Sequence, residues 1–259
     1  MFIPTFRMKK NGVPVLSKDE IETIAFKYVR DFQPEALTEP QPLMIEDFIE
    51  CYLGMTPDYQ YLSHNGVYLG MTVFNDTDFV PVYSVETGRA EYIHADARTV
   101  IIDRRLIEDP KQEHRYRFTL GHESGHDIFH PAVFAYNRDQ ISLFDDPPIP
   151  MIQCRVDTGR AKRKDPQHWT DKERMEWQAN HFSSAFLMPG AAVEIVYNRN
   201  MKHDISLQNY LTITDMANTF NVSPEAALYR LRDLNYIPKT DTNNYLSNLA
   251  YYDFIDLLC

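Results

Sequence analysis

Four side chains in the stretch FTLGHESGHDIFHP, residues 118–131, can bind metals or move protons: His122, Glu123, His126 and His130. On an α-helix a spacing of four rotates a side chain by only about 40°, so His122 and His126 share a face. Both imidazoles can then reach one ion at about 2.1 Å. Glu123 lies on the adjacent flank, where it can touch a water at the same ion. This is the H-E-x-x-H arrangement, in which two histidines ligate zinc and the glutamate acts as general base. His130 follows four residues after His126. His122 and His130 are two turns apart, roughly 12 Å along the axis, so a tight three-histidine site on one straight helix does not fit. Only the pair His122 and His126 leaves a glutamate in the base position. His130 is read as a helix-terminal residue, set against the dipole or packing locally.

A catalytic zinc takes a third protein ligand and keeps one position open for water. Downstream candidates are Cys154, Asp157, His168, Asp171, Glu173 and Glu176. Glu173 is explained by a capping box with Thr170. Cys154 and His168 fall in a stretch without period, a poor platform for an exact ligand. Glu176 stands about two turns into a well-capped helix, beside its apolar stripe. Asn180, four residues on, shares its face and can orient a histidine ligand. Spacing alone leaves Glu176 open between ligand and ordinary solvated helix residue.

These groups need elements to hold them. LSKDEIETIAFKYVRDF opens with the pair Ser17 and Glu20, a capping-box start, and continues with helical apolar spacing. MIEDFIECYLG reads as a second helix, stopped by Gly54. Between about 67 and 103, VYLGMTVF, FVPVYSV and TVIID are β-branched and aromatic runs separated by turn signals, which predicts an antiparallel meander. Helical texture returns near His114 and lasts to Phe129, where Pro131 halts it. Residues 131–169 carry DDPPIP and the basic run GRAKRK and read as a long loop or insertion. Thr170 and Glu173 open the next helix, with the stripe Met175, Ala179, Phe182 and Phe186, and Pro189-Gly190 closes it. The last sixty residues read as mostly helical, with Ser223-Pro224 as an N-cap and first-turn pair. Strands followed by paired helices give an α+β class.

Composition narrows the partners. The 259 residues are 44% apolar and 24% charged, a globular balance. A net charge of −11 disfavours non-specific attraction to nucleic acid or anionic lipid. The three cysteines, Cys51, Cys154 and Cys259, are odd in number and widely spaced, against a disulfide scaffold. No apolar run approaches the roughly 20 residues that span a bilayer, and the opening residues lack a secretory apolar core. The expectation is a cytosolic protein.

FTLGHESGH followed by EWQANHFSSAFLMP resembles the ImmA/IrrE family of metallopeptidases. His122 and His126 match the family's histidine ligands, Glu123 its catalytic glutamate and Glu176 its third ligand, while Asn180, Phe182, Met188 and Pro189 match the rest of its second helix. The likeness runs over roughly residues 17–235, since the opening helix, YLGMTVF and NVSPEAALYRLRDL also look familiar. Ser124, Ser183, Phe186 and the long 131–169 insertion depart from the pattern without removing a ligand. The resemblance implies a zincin-like catalytic domain over residues 1–200, containing the N-terminal helices and the insertion, with a small antiparallel or mixed sheet and an active-site helix. A helical, helix-turn-helix-like region over 201–259 completes it. It also implies bound Zn2+, cytoplasmic location and selective cleavage of a protein, often a helix-turn-helix repressor of a mobile element or stress response.

Two other readings compete. LTITDMANTFNVSPEAALYRLRDL has the outline of a DNA-binding helix-turn-helix, with Arg230 and Arg232 expected to project from its second helix. Its charges nearly cancel, so direct nucleic-acid binding is not expected. The other is a metal-sensing regulator without turnover. A purely structural zinc takes four protein ligands, and the glutamate between the histidines argues for chemistry instead.

Overall fold

The computed structural model describes residues 2–135, 150–155, 168–241 and 244–248. The chain divides into two compact units, Met1–Ile24 with Met44–Ser183, and Ala25–Leu43 with Ser184–Cys259. In chain order the elements are α1 (Lys18–Phe32), α2 (Ile45–Asp47, continued by a π-helical turn Phe48–Leu53), β1 (Thr56–Gln60), β2 (Tyr68–Val73), β3 (Thr77–Ser84), β4 (Arg89–Ala95) and β5 (Thr99–Asp103). There follow α3 (Arg105–Glu108), α4 (Glu113–Phe129), α5 (Pro131–Phe134), β6 (Met151–Arg155), α6 (Asp171–Leu187), α7 (Gly190–Arg199), α8 (Ile205–Phe220) and α9 (Pro224–Asp233). The fold class is α+β, consistent with a zincin-like fold.

The helix starts follow from local chemistry. Ser17 N donates to Glu20 Oε2 at 2.7 Å and Glu20 N to Ser17 Oγ at 3.2 Å, a reciprocal capping box. Thr170 and Glu173 repeat it at α6, at 2.8 and 3.2 Å. Gly54 ends the second helix in the left-handed conformation, φ 69°, which glycine adopts without a Cβ penalty.

The sheet runs β1-β5-β2-β6, with β1 parallel to β5 and the other pairs antiparallel. A simple meander is therefore not what forms. β3 and β4 leave the sheet as a separate hairpin, and β5 returns to pair with β2. Val80, Val82 and Ala95 of that hairpin pack on Met71, Val73 and Ile101, which point to one face of the sheet. The period of two sends Gly70 and Thr72 to the opposite face, toward α4. β5 is buried along its whole length, which explains its unbroken TVIID run. β6 is a strand inside the stretch expected to be loop. Of its five residues only Met151, Ile152 and Cys154 are apolar and only Ile152 is β-branched, too short a signal to separate from the PPIP segment before it. The basic run 160–164, Asp157 and the tail beyond residue 248 lie outside the described residues.

In the second unit α8 and α9 meet at Asn221, which takes the left-handed conformation. Ser223 Oγ caps α9 by accepting from Ala226 N at 3.1 Å, with Pro224 in the first turn. Arg230 does not project into solvent. It is fully buried and donates from Nε to the Met188 carbonyl at 2.9 Å, while Arg232 donates to the Asp241 carbonyl. Both guanidinium groups of α9 thus bond to backbone carbonyls of the same unit.

In the first unit α4 is buried on nearly every side from Thr119 to His126. Its close neighbour is α6. A Cβ at Gly121 would stand 2.5 Å from Ser183 Oγ, and one at Gly125 would stand 2.9 Å from Ala179 Cα. Glycine at both positions lets the two helices approach almost backbone to backbone. Ser183 uses that proximity by donating to the Phe118 carbonyl at 2.9 Å. Gly125→Val would force α6 away, because the atoms in its path belong to backbone. Overpacking of this kind costs about 1–3 kcal/mol, more than the few tenths that valine gains over glycine in helix propensity. The urea midpoint should fall with an unchanged denaturant slope; a midpoint at or above the parent value contradicts the close-approach account.

Candidate metal centre

α4 and α6 bring three ligand-bearing side chains to one point. His122 Nε2 lies 2.9 Å from His126 Nε2 and 3.4 Å from Glu176 Oε2, and His126 Nε2 lies 3.9 Å from Glu176 Oε1. All the donor atoms fall within 4.8 Å of one another. Donors about 2.1 Å from a tetrahedral ion stand about 3.4 Å apart, so the observed spacings bracket what one zinc requires. The two histidines are buried, and the Glu176 side chain is 26% exposed, so access is from the glutamate side.

Hydrogen bonding shows that a cation fits. His122 Nδ1 lies 2.9 Å from Asn180 Oδ1, an acceptor, so Nδ1 carries the proton and a neutral His122 presents a bare Nε2. Burial, then His122 and His130, hold the His126 pKa well below the imidazole range, so that ring is uncharged as well. Glu176 Oε1 is buried without a hydrogen-bond partner. Acceptors converging on one point repel unless a positive charge joins them.

The other downstream candidates are placed elsewhere. Asp171 receives the Lys9 ammonium and, at 2.7 Å, the Asn11 amide. Glu173 is spent on its capping box, and His168 is exposed. The Cys154 side chain and Asp157 lie outside the described residues.

Glu123 is fully buried beside this cluster. Its Oε2 accepts from Thr72 Oγ1 at 2.6 Å, and its Oε1 has no hydrogen-bond partner. Burial pushes its pKa up to about 7, partly offset by His122 and by the Thr72 hydrogen bond and reinforced by Glu176. A carboxylate near pH 7 is poised to take and return a proton. Gly70 makes its seat: a Cβ there would stand 2.5 Å from Glu123 Oε1 and 2.7 Å from Thr119 Cγ2. Sequence reasoning missed Gly70 and Thr72. The available signal was a glycine inside a strand, which marks close approach by another group. It also missed the partner of His130, whose Nδ1 lies 2.8 Å from His126 Nδ1. His130 therefore packs locally, as one of its two readings held, and burial pushes its pKa down to about 4.

Residues 157–232 match a peptidase family model, Peptidase_M78, described as the IrrE N-terminal-like domain. The matched span carries Glu176 and Asn180 on α6 and ends at the close of α9; the histidine helix precedes it. No curated protein matches the chain. No helix among the described residues is long and apolar enough to cross a membrane. The span that matches holds the acidic corner of the cluster, and α4 supplies the two imidazoles facing it, so over residues 157–232 the chain is similar to the IrrE N-terminal-like domain of peptidases.

Proposed function

We propose that the protein is a zinc-dependent endopeptidase that cleaves a specific cytosolic protein. The observation that carries this reading is the convergence of His122 Nε2, His126 Nε2 and the Glu176 carboxylate beside a buried Glu123. His122, His126 and Glu176 would hold the ion. When bound, zinc supplies the Lewis acidity that makes a water nucleophilic near neutral pH and polarises a scissile carbonyl. Glu123 takes the proton of the attacking water and hands it to the departing amine. Thr72 holds the carboxylate in place by its hydroxyl, and the bare backbone of Gly70 leaves it room.

An extended substrate would add to a sheet edge by main-chain hydrogen bonds. β2, the strand nearest Glu123, is not free for this, because it pairs with β5 on one side and β6 on the other. Among the described residues the edges of the four-stranded sheet are β1 and β6. The β6 edge lies one strand from the pair Gly70 and Thr72, and we assign the substrate to it. The resemblance to the ImmA/IrrE family supports a helix-turn-helix repressor as the cleaved protein. Both arginines of α9 being engaged internally supports a protein partner over direct DNA contact.

Purified protein should hold one zinc per chain and cleave a helix-turn-helix regulator from its own genomic neighbourhood. Glu123→Gln should retain the metal and lower the cleavage rate about 10²–10⁴-fold; near-parental turnover removes Glu123 from the base role. Glu176→Ala should lower bound zinc, and unchanged stoichiometry would mean another third ligand. Thr72→Val removes a hydrogen bond to a carboxylate, commonly about 1.5–3 kcal/mol, so turnover should fall roughly 10–100-fold with zinc content unchanged. Because the Thr72 hydrogen bond lowers the Glu123 pKa, its loss should move the acid limb of the pH–rate profile to higher pH. An unmoved limb contradicts the assignment of that limb to Glu123.

A further inference from the structure

Behind His126 runs a chain of buried contacts that the proposed reaction does not use. His126 Nδ1 lies 2.8 Å from His130 Nδ1, and His130 Nε2 lies 2.9 Å from Gln178 Oε1. Gln178 Nε2 in turn donates to the Pro14 carbonyl at 2.9 Å. His126, His130 and Gln178 are each 0% exposed, so no solvent molecule competes for these bonds.

The proton positions follow from the far end. A carbonyl only accepts, so the Gln178 group facing Pro14 is its NH2 and the group facing His130 is its oxygen. An amide oxygen also only accepts, so His130 carries its proton on Nε2. A neutral imidazole has one N–H, which leaves His130 Nδ1 as a lone pair. His126 must then donate from Nδ1, and its Nε2 is bare. That nitrogen is the one aimed at His122 Nε2 and Glu176. The opposite tautomer would put a proton where the ion belongs.

We propose that His130 and Gln178, anchored on the backbone carbonyl of Pro14, are positioning residues that lock His126 in the Nδ1–H tautomer before metal arrives. The inference rests on the zinc-site reading above. Outer groups that orient a histidine ligand typically tune metal affinity 10–100-fold. The anchor is itself fixed. Lys9 and Asn11 bond Asp171 at the start of α6, and a Cβ at Gly12 would stand 2.6 Å from the Ala132 carbonyl oxygen. Lys9 N also donates to the Val13 carbonyl, and Met8 bridges Pro14. The segment before α1 thereby becomes part of the machinery that presents a ligand on α4. Asn180 does the same for His122 from a different side.

The test uses the full chain and two readouts. Long-range 1H–15N spectra of the metal-free protein report the ring tautomer of each histidine; His126 should be protonated at Nδ1 in the parent. His130→Leu fills the space without accepting a hydrogen bond, and zinc affinity from a chelator competition should fall 10–100-fold. In His130→Asn the Oδ1 atom stands near the position of the lost Nδ1 and accepts from His126, so affinity should return to within a few-fold of the parent. Gln178→Met should shift His126 toward the Nε2–H form while leaving both histidines in place. A parent His126 found protonated at Nε2, or a His130→Leu variant that binds zinc as tightly as the parent, overturns the inference. Should the parent bind no zinc at all, the metallopeptidase reading fails, whereas the tautomer spectra still decide whether the lock exists.

Discussion

The contact between α4 and α6 sets the terms for everything else in the first unit. Side chains on two helices converge on one small ion only if the helices are close, and ordinary packing separates axes by about 8–10 Å. Gly121 and Gly125 remove the atoms that would hold α6 away, and Ala179 and Ser183 are the small residues opposite them. The Phe129 and Phe182 rings, 5.5 Å apart and edge to face, close the same seam beyond the ligands. Because the glycines stand one position before each histidine, the face that touches α6 and the face that presents imidazoles are neighbours on one helix. Close approach and ligand presentation are therefore one design constraint.

The sheet supplies the second half of the site. β2 alternates Gly70, Met71, Thr72 and Val73, so one face of a single strand fills the apolar cluster and the other holds a carboxylate. Burying Glu123 is expensive for its charged form, and the raised pKa records that cost. One hydroxyl on Oε2 and no partner on Oε1 leave the group under-solvated, which keeps it basic enough to accept a proton and weak enough to release it. A fully solvated glutamate at the same place would release a proton readily but be a poorer base for taking one.

Much of this was legible in the sequence because it was local. The pairs Ser17 with Glu20 and Thr170 with Glu173 announce helix starts through bonds three residues apart, and the His122-Glu123-His126 spacing defines a helix face without any tertiary knowledge. Glu176 was legible only as one of several candidates until the fold placed it, since nothing in a helical glutamate's neighbours tells whether a histidine stands opposite. The pairing of β5 with β1 and β2, and the departure of β3–β4 into their own hairpin, depend on contacts across tens of residues that runs of valine and isoleucine do not encode. Arg230 was misread for the same reason. An arginine on a short amphipathic helix looks solvent-facing, and only the carbonyl of Met188, 42 positions away, reveals why it is buried. His130, Gln178 and Pro14 form one chain although 164 residues separate its anchor from the amide that meets it.

The claim on which the account stands is that two imidazoles from α4 and one carboxylate from α6 share a single ion with a corner left free. Anomalous diffraction at the zinc edge from crystals of the zinc-loaded protein tests it directly. The account predicts one peak, about 2.1 Å from His122 Nε2, His126 Nε2 and a Glu176 oxygen, with no fourth protein atom in contact. A peak elsewhere, or a fourth side chain closing the coordination sphere, would contradict it.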